Sequence, residues 1–114
     1  MPDQGDIVLI PIPFTDLSSQ KRRPVIVLSN DAYNRASLDL VVVALTSSPS
    51  TGPYSFTINS ADLAEGSLRR PSTVRVDKIY TLAKSLVVTR FGRVKKAVLG
   101  EIRQRLTTLA AENP

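Results

Sequence analysis

"STVRVDKIYTL", residues 72–82, alternates more cleanly than any other stretch of the chain. Val74 and Val76 point one way along an extended strand, and Thr73, Arg75 and Asp77 point the other, the period-two pattern of a strand with one covered and one open face. "SLVVTRFG" (85–92) follows closely and reads as the last strand, paired with it. Working back, "RPVIVLS" (23–29) and "LDLVVVAL" (38–45) are apolar at successive positions, so both of their faces need cover. "DIVLIPIPF" (6–14) reads as a first strand whose prolines mark an edge or an early exit, and "PYSFTIN" (53–59) as a shorter strand. "TDLSSQK" (15–21) and "TSSPSTG" (46–52) are polar loops, and "NDAYNRAS" (30–37) is turn-like. "SADLAEGS" (60–67) reads as a helical turn capped by Asn59 or Ser60 and ended by Gly66. From Val94 on, Val94, Val98, Ile102, Leu106 and Leu109 recur at three- and four-residue steps, which describes one amphipathic C-terminal helix. Strands therefore predominate. The expected fold is mainly β: one domain over residues 1–114, a small curled antiparallel sheet or barrel packed by that helix.

Composition narrows the chemistry. A chain of 114 residues can bury one core without metal or disulfide staples. Cysteine is absent, which removes disulfides, thiolate nucleophiles and zinc–sulfur sites and fits a cytoplasmic location. Histidine is absent too, so the commonest general acid/base at neutral pH and the commonest transition-metal ligand are both missing. The opening "MPDQGD" is acidic and is not expected to begin a signal peptide, and the longest apolar runs are too short to cross a bilayer, so no membrane partner is expected. Five scattered glycines form no phosphate-cradling loop, and the ten acids show no metal-cluster pattern; no metal site and no cofactor are expected. The net charge of +5 favours polyanionic partners.

What remains is cations, carboxylates and hydroxyls, gathered in three places. "KRRPVIVLSN" (21–30) sets Lys21, Arg22 and Arg23 directly against an apolar strand, and the proline after Arg23 holds that residue extended. Taken alone, this is a solvated basic edge. "TSSPS" (46–50) is a hydroxyl cluster at a strand end, which turn chemistry explains equally well. "TVRVDK" puts Arg75 and Asp77 on one face, about 7 Å apart along the strand, a spacing common in surface ion pairs.

Together, in the order of the strands that hold them, these pieces resemble something specific. "GDIVLIPIPF … KRRPVIVLSN … VVVALTS … TVRVDKIYTL … RFGRV" followed by a C-terminal helix is similar to the MazF/PemK family of toxin endoribonucleases, from Gly5 to about Leu109. The resemblance implies an SH3-like barrel, a homodimer, a cognate antitoxin, and metal-independent cleavage of single-stranded RNA at short sequences. Carried over position by position, it implies a site made of Arg23, Thr46, Ser47, Arg75 and Asp77. Loop 15–22 matches the family's mobile RNA-covering loop, so Gln20, Lys21 and Arg22 are expected to meet the substrate. Some members carry a histidine in that loop; this chain has Ser18, Ser19 and Gln20 instead.

The side chains suit that reaction. A 2′-hydroxyl beside the scissile phosphate is an internal nucleophile, so the protein need only remove a proton, stabilise charge on phosphorus and help the 5′-oxygen leave. Arg23 and Arg75 suit the second task, since guanidinium binds phosphate oxygens through a rigid fork. Asp77, the one acid of the constellation, is assigned as general base, with orientation of Arg75 as its alternative. The proton donor is left open between an arginine, Thr46 and water. Two other functions compete: a gyrase-inhibiting toxin of CcdB-like topology, disfavoured because the chain has no tryptophan, and a module that binds nucleic acid without cutting it.

Overall fold

A computed structural model describes residues 2–11 and 22–113. Its strands are β1 (Asp6–Pro11), β2 (Arg22–Val27), β3 (Asp39–Thr46), β4 (Ser55–Ile58), β5 (Leu63–Glu65), β6 (Ser72–Ala83) and β7 (Thr89–Val94). All neighbours run antiparallel in one sheet of order β4-β6-β3-β2-β1-β7-β5. The sheet curls into an open barrel, closed at one side by a helix, α2 (Lys96–Ala110). A mainly β architecture with a C-terminal helix is what the alternation and the final 3.6-residue period require.

Several local readings change. The last strand, β7, pairs with β1 and β5, not with the long strand before it. A turn of 3-10 helix at Lys84–Leu86 redirects the chain, and Val88 donates its amide to the Leu9 carbonyl, which starts β7 on the far side of the sheet. The turn-like 30–37 is a short helix, α1 (Asp31–Ala36), because the Asn30 side chain caps it by accepting the Tyr33 amide. The helical turn at 60–67 shrinks to Ser60–Asp62, held by a capping box between Asn59 and Asp62, and Leu63–Glu65 extends along β7 instead. That pairing needs glycines: a Cβ on Gly66 would run into the Phe91 carbonyl oxygen, and one on Gly92 would come within 2.7 Å of the Glu65 carbonyl oxygen. The first strand is described to Pro11, and residues 12–21 of the reading above lie outside the described residues.

The apolar strands are covered on both faces, as their composition demands. One face carries Ile7, Ile26, Val43, Leu45, Val74 and Val76 against Val98, Leu99 and Ile102 of α2. The other carries Val8, Ile10, Val25, Val27, Leu40 and Val42, packed by Tyr80, Leu82 and Val87. The second cluster is thus covered from within the chain, by the far half of β6 and the turn after it. No described helix is long and apolar enough to cross a membrane.

Candidate active site

The site grows out of the second apolar face. On β2, Val27, Val25 and Arg23 share a face; on β3, Val42, Ala44 and Thr46 do. Val25 pairs with Ala44, so continuing that register sets Arg23 opposite Thr46. Ala44 pairs in turn with Arg75 of β6. A face that is apolar in mid-sheet therefore turns cationic and hydroxylic where the strands end. That is why Arg23 abuts a buried strand: it is the outer continuation of that strand's face.

The decisive irregularity lies in β6. Val43 pairs with Ile79 but Ala44 pairs with Arg75, so Val76, Asp77 and Lys78 have no partners on β3. An odd number of extra residues reverses the phase of the strand. Beyond the bulge, Tyr80 and Leu82 pack on the same face that carries Arg75 before it, which strict alternation forbids. The bulge is pinned by the Val76 amide, which donates to the Tyr54 carbonyl at 2.9 Å. Val76 itself is fully buried, while Asp77 and Lys78 are exposed.

Two cavities meet at Arg75. The larger, about 290 Å³, is lined by Arg23, Thr46, Ser48, Ser50, Arg75 and Lys78 among others. The smaller, about 140 Å³, is lined by Thr51, Tyr54, Ser55, Arg75 and Asp77 among others. A further hollow of about 360 Å³ runs from Arg23 and Thr46 to Arg22, Ser47 and Ser72. Six of the residues singled out in the sequence thus line one continuous depression: Arg22, Arg23, Thr46, Ser47, Arg75 and Asp77. Gln20 and Lys21 lie outside the described residues.

Arg75 and Asp77 form a two-pronged ion pair, Nε to Oδ1 at 3.0 Å and Nη2 to Oδ2 at 2.9 Å. Arg75 donates both bonds, and they hold the Asp77 carboxyl below its ordinary value against a smaller opposing effect of burial; the Lys78 charge acts in the same direction. The same pairing raises Arg75. Asp77 is accordingly ionised at neutral pH and only weakly basic. Thr46 Oγ1 accepts the Ser48 amide at 3.1 Å, which fixes the hydroxyl and leaves its own proton for another acceptor. Behind the smaller cavity's loop, Arg105 of α2 donates to the Pro53 and Ser55 carbonyls at 2.6 and 3.2 Å, with its guanidinium 5.1 Å from the centre of the Phe56 ring. This tie anchors the loop that walls the smaller cavity to the helix.

Lys78 is the residue that sequence reasoning missed. Strict alternation places it beside Val76, facing the core; the bulge brings it out beside Arg75. A lysine in the core phase of a clean strand was the available signal, since charge there requires a bulge or an edge. The "GD" near the start also gains an explanation. The Asp6 side chain, 1% exposed, takes the Asp3 amide at 2.7 Å and the Nε atoms of Arg90 and Arg93 at 3.0 Å each. Glu65 completes the cluster through Arg90 at 2.7 Å. These residues clamp β1, β5 and β7 together and take no part in the depression.

A curled antiparallel barrel bearing guanidinium groups, an ammonium and hydroxyls around one carboxylate is built to handle phosphate esters. Comparison with known proteins makes the class specific. Residues 3–110 match the family model described as PemK-like, MazF-like toxin of type II toxin-antitoxin system, and the chain belongs to that family. Among solved structures, an endoribonuclease in complex with its cognate antitoxin from a mycobacterial species superposes with a TM-score of 0.78 at 28% identity, over 100% of both chains. MazE–MazF from Deinococcus radiodurans superposes with a TM-score of 0.76 at 25% identity, over 95% of this chain and 94% of that one. No curated protein matches the sequence.

Proposed function

We propose that this toxin is an endoribonuclease that cleaves single-stranded RNA without a metal ion, by attack of the 2′-hydroxyl on the adjacent phosphate. The observation that carries the reading is the convergence of Arg23, Thr46 and Arg75 on one cavity, on the fold of a family whose solved relatives are described as endoribonucleases. Arg23 and Arg75 hold the phosphate oxygens and meet the charge that develops on phosphorus. Thr46 positions the phosphate through its hydroxyl. Asp77, the carboxylate that lines the depression, takes the 2′-proton while its ion pair orients Arg75. Arg22 and Ser47 extend the track along the RNA backbone, and Gln20 and Lys21 are assigned to the same track on the resemblance alone. The 2′-hydroxyl supplies the nucleophile, so the scheme calls on no cofactor.

The working form is a homodimer in the cytoplasm, controlled by a cognate antitoxin that lays an acidic segment across the basic depression. One relative was solved with its cognate antitoxin, which supports this partner. Exposed Leu38, Leu86 and Val88 offer apolar surface to a second copy. The test is to incubate the pure protein with a long RNA, with and without EDTA, and to analyse the new ends. The expected products carry a 2′,3′-cyclic phosphate and a 5′-hydroxyl whether or not EDTA is present. Products with 5′-phosphate ends, or intact RNA tightly bound, would overturn the reading in favour of other chemistry or of binding alone.

A further inference from the structure

We propose that Lys78 is the general acid that protonates the departing 5′-oxygen; this rests on the ribonuclease reading above and completes its proton balance. In-line displacement puts the attacking and leaving oxygens on opposite sides of phosphorus, so the base and the acid must flank the phosphate. The depression is built that way. Asp77 lines the smaller cavity, Lys78 lines the larger, and Arg75 lines both. A phosphate held by Arg75 where the two cavities meet would lie between the cavity of the carboxylate and that of the ammonium. The bulge creates this arrangement, because adjacent residues 77 and 78 would otherwise point to opposite faces of the sheet.

The alternatives in the larger cavity are poorer donors. Guanidinium groups hold their protons about two units more tightly than an ammonium does, and Arg75 is committed to Asp77 by two hydrogen bonds. A threonine hydroxyl is about as weak an acid as the ribose hydroxyl it would protonate. Tyr54 lines the cavity of the base, on the wrong side for the leaving oxygen. Lys78 is the ammonium of the larger cavity. In the step, the 2′-oxygen loses its proton to Asp77 and bonds to phosphorus. The bond from phosphorus to the 5′-oxygen breaks, and that oxygen takes a proton from Lys78; Asp77 then releases the 2′-proton to water, and the Lys78 amine recovers one from water. Charge and protons balance over the cycle.

The test compares two RNAs under single-turnover conditions. One is natural, and the other has sulfur in place of the bridging 5′-oxygen, a leaving group that needs no proton. Lys78→Ala should cut the natural RNA about 100-fold or more slowly and the sulfur-bridged RNA at nearly the wild-type rate. Lys78→Arg, which keeps the charge but not the acidity, should behave the same way. Filter binding and circular dichroism on the variants separate loss of chemistry from loss of RNA or fold. Slow cleavage of both RNAs, or natural RNA cut by Lys78→Arg at the wild-type rate, would reduce Lys78 to a phosphate contact and overturn the assignment. Wild-type protein that cuts neither RNA would instead overturn the ribonuclease reading itself.

Discussion

At the scale of single residues, the proposed function separates groups that bind from groups that react. Arg23→Ala removes one phosphate contact among several, so RNA affinity should change little, while the cleavage rate should fall about 100-fold or more because the developing charge loses a donor. Thr46→Ala should fall between wild type and Arg23→Ala if its hydroxyl only positions the phosphate. Single-turnover cleavage beside filter binding reads both quantities. Asp77 makes a separate prediction about pH. Its carboxyl is held below the ordinary 3.8, chiefly by the hydrogen bonds from Arg75, so the base form persists as pH falls to that value. A pH–rate profile should therefore show no loss from Asp77 above about pH 4. Asp77→Asn should remain folded and be inactive throughout. A profile that falls away near pH 6 would assign proton abstraction to some other group.

At the scale of elements, the clamp on Asp6 decides whether β1, β5 and β7 stay together. Burial alone would push this carboxyl up, but the Asp3 amide and the Arg90 and Arg93 guanidiniums outweigh it and hold it below 3.8. A depressed folded value means that the stabilisation is present above the unfolded value and is lost as pH falls through the folded one. Thermal melts should thus show a drop in stability below about pH 4, and Asp6→Asn should lose about 2–3 kcal/mol at neutral pH without changing which RNA is cut. The elements also show what the sequence made legible. Six apolar or alternating runs and one 3.6-residue period are local signals, and they marked the final helix and every strand but β5. Strand partnership is not local: the pairing of β7 with β1 depends on where Lys84–Leu86 turns the chain. Of the candidate site, Arg23, Thr46, Arg75 and Asp77, which line one depression, were legible through their order along the chain. Lys78 was not, because alternation assigns it to the core and only the ladder to β3 exposes the three extra residues.

At the scale of the whole molecule, a net charge of +5 favours a polyanion such as the proposed RNA, and the cations of the depression would give the attraction a direction. If Arg22, Arg23, Arg75 and Lys78 each neutralise a phosphate, the logarithm of the binding constant should fall against that of salt with a slope of roughly −0.7 per contact. Replacing any one of them should make the slope shallower by about one contact. A slope that stays flat from low to physiological salt would place the RNA elsewhere on the surface.

The excursion of β6 at Val76–Lys78 also bears on how such a toxin diverges. The paired residues on either side keep the sheet together through main-chain bonds, whatever side chains stand at 77 and 78. Val76, one position earlier, is fully buried and has no such freedom. In a saturation library selected for cells that survive expression of this protein, survivors changed at Val76 should contain little of it, because the core fails. Survivors changed at Asp77 or Lys78 should contain it at full abundance, harmless and intact. If Asp77 and Lys78 carry the proposed proton transfers, a lineage can rewrite its chemistry at two adjacent positions while its fold remains beyond the reach of that selection.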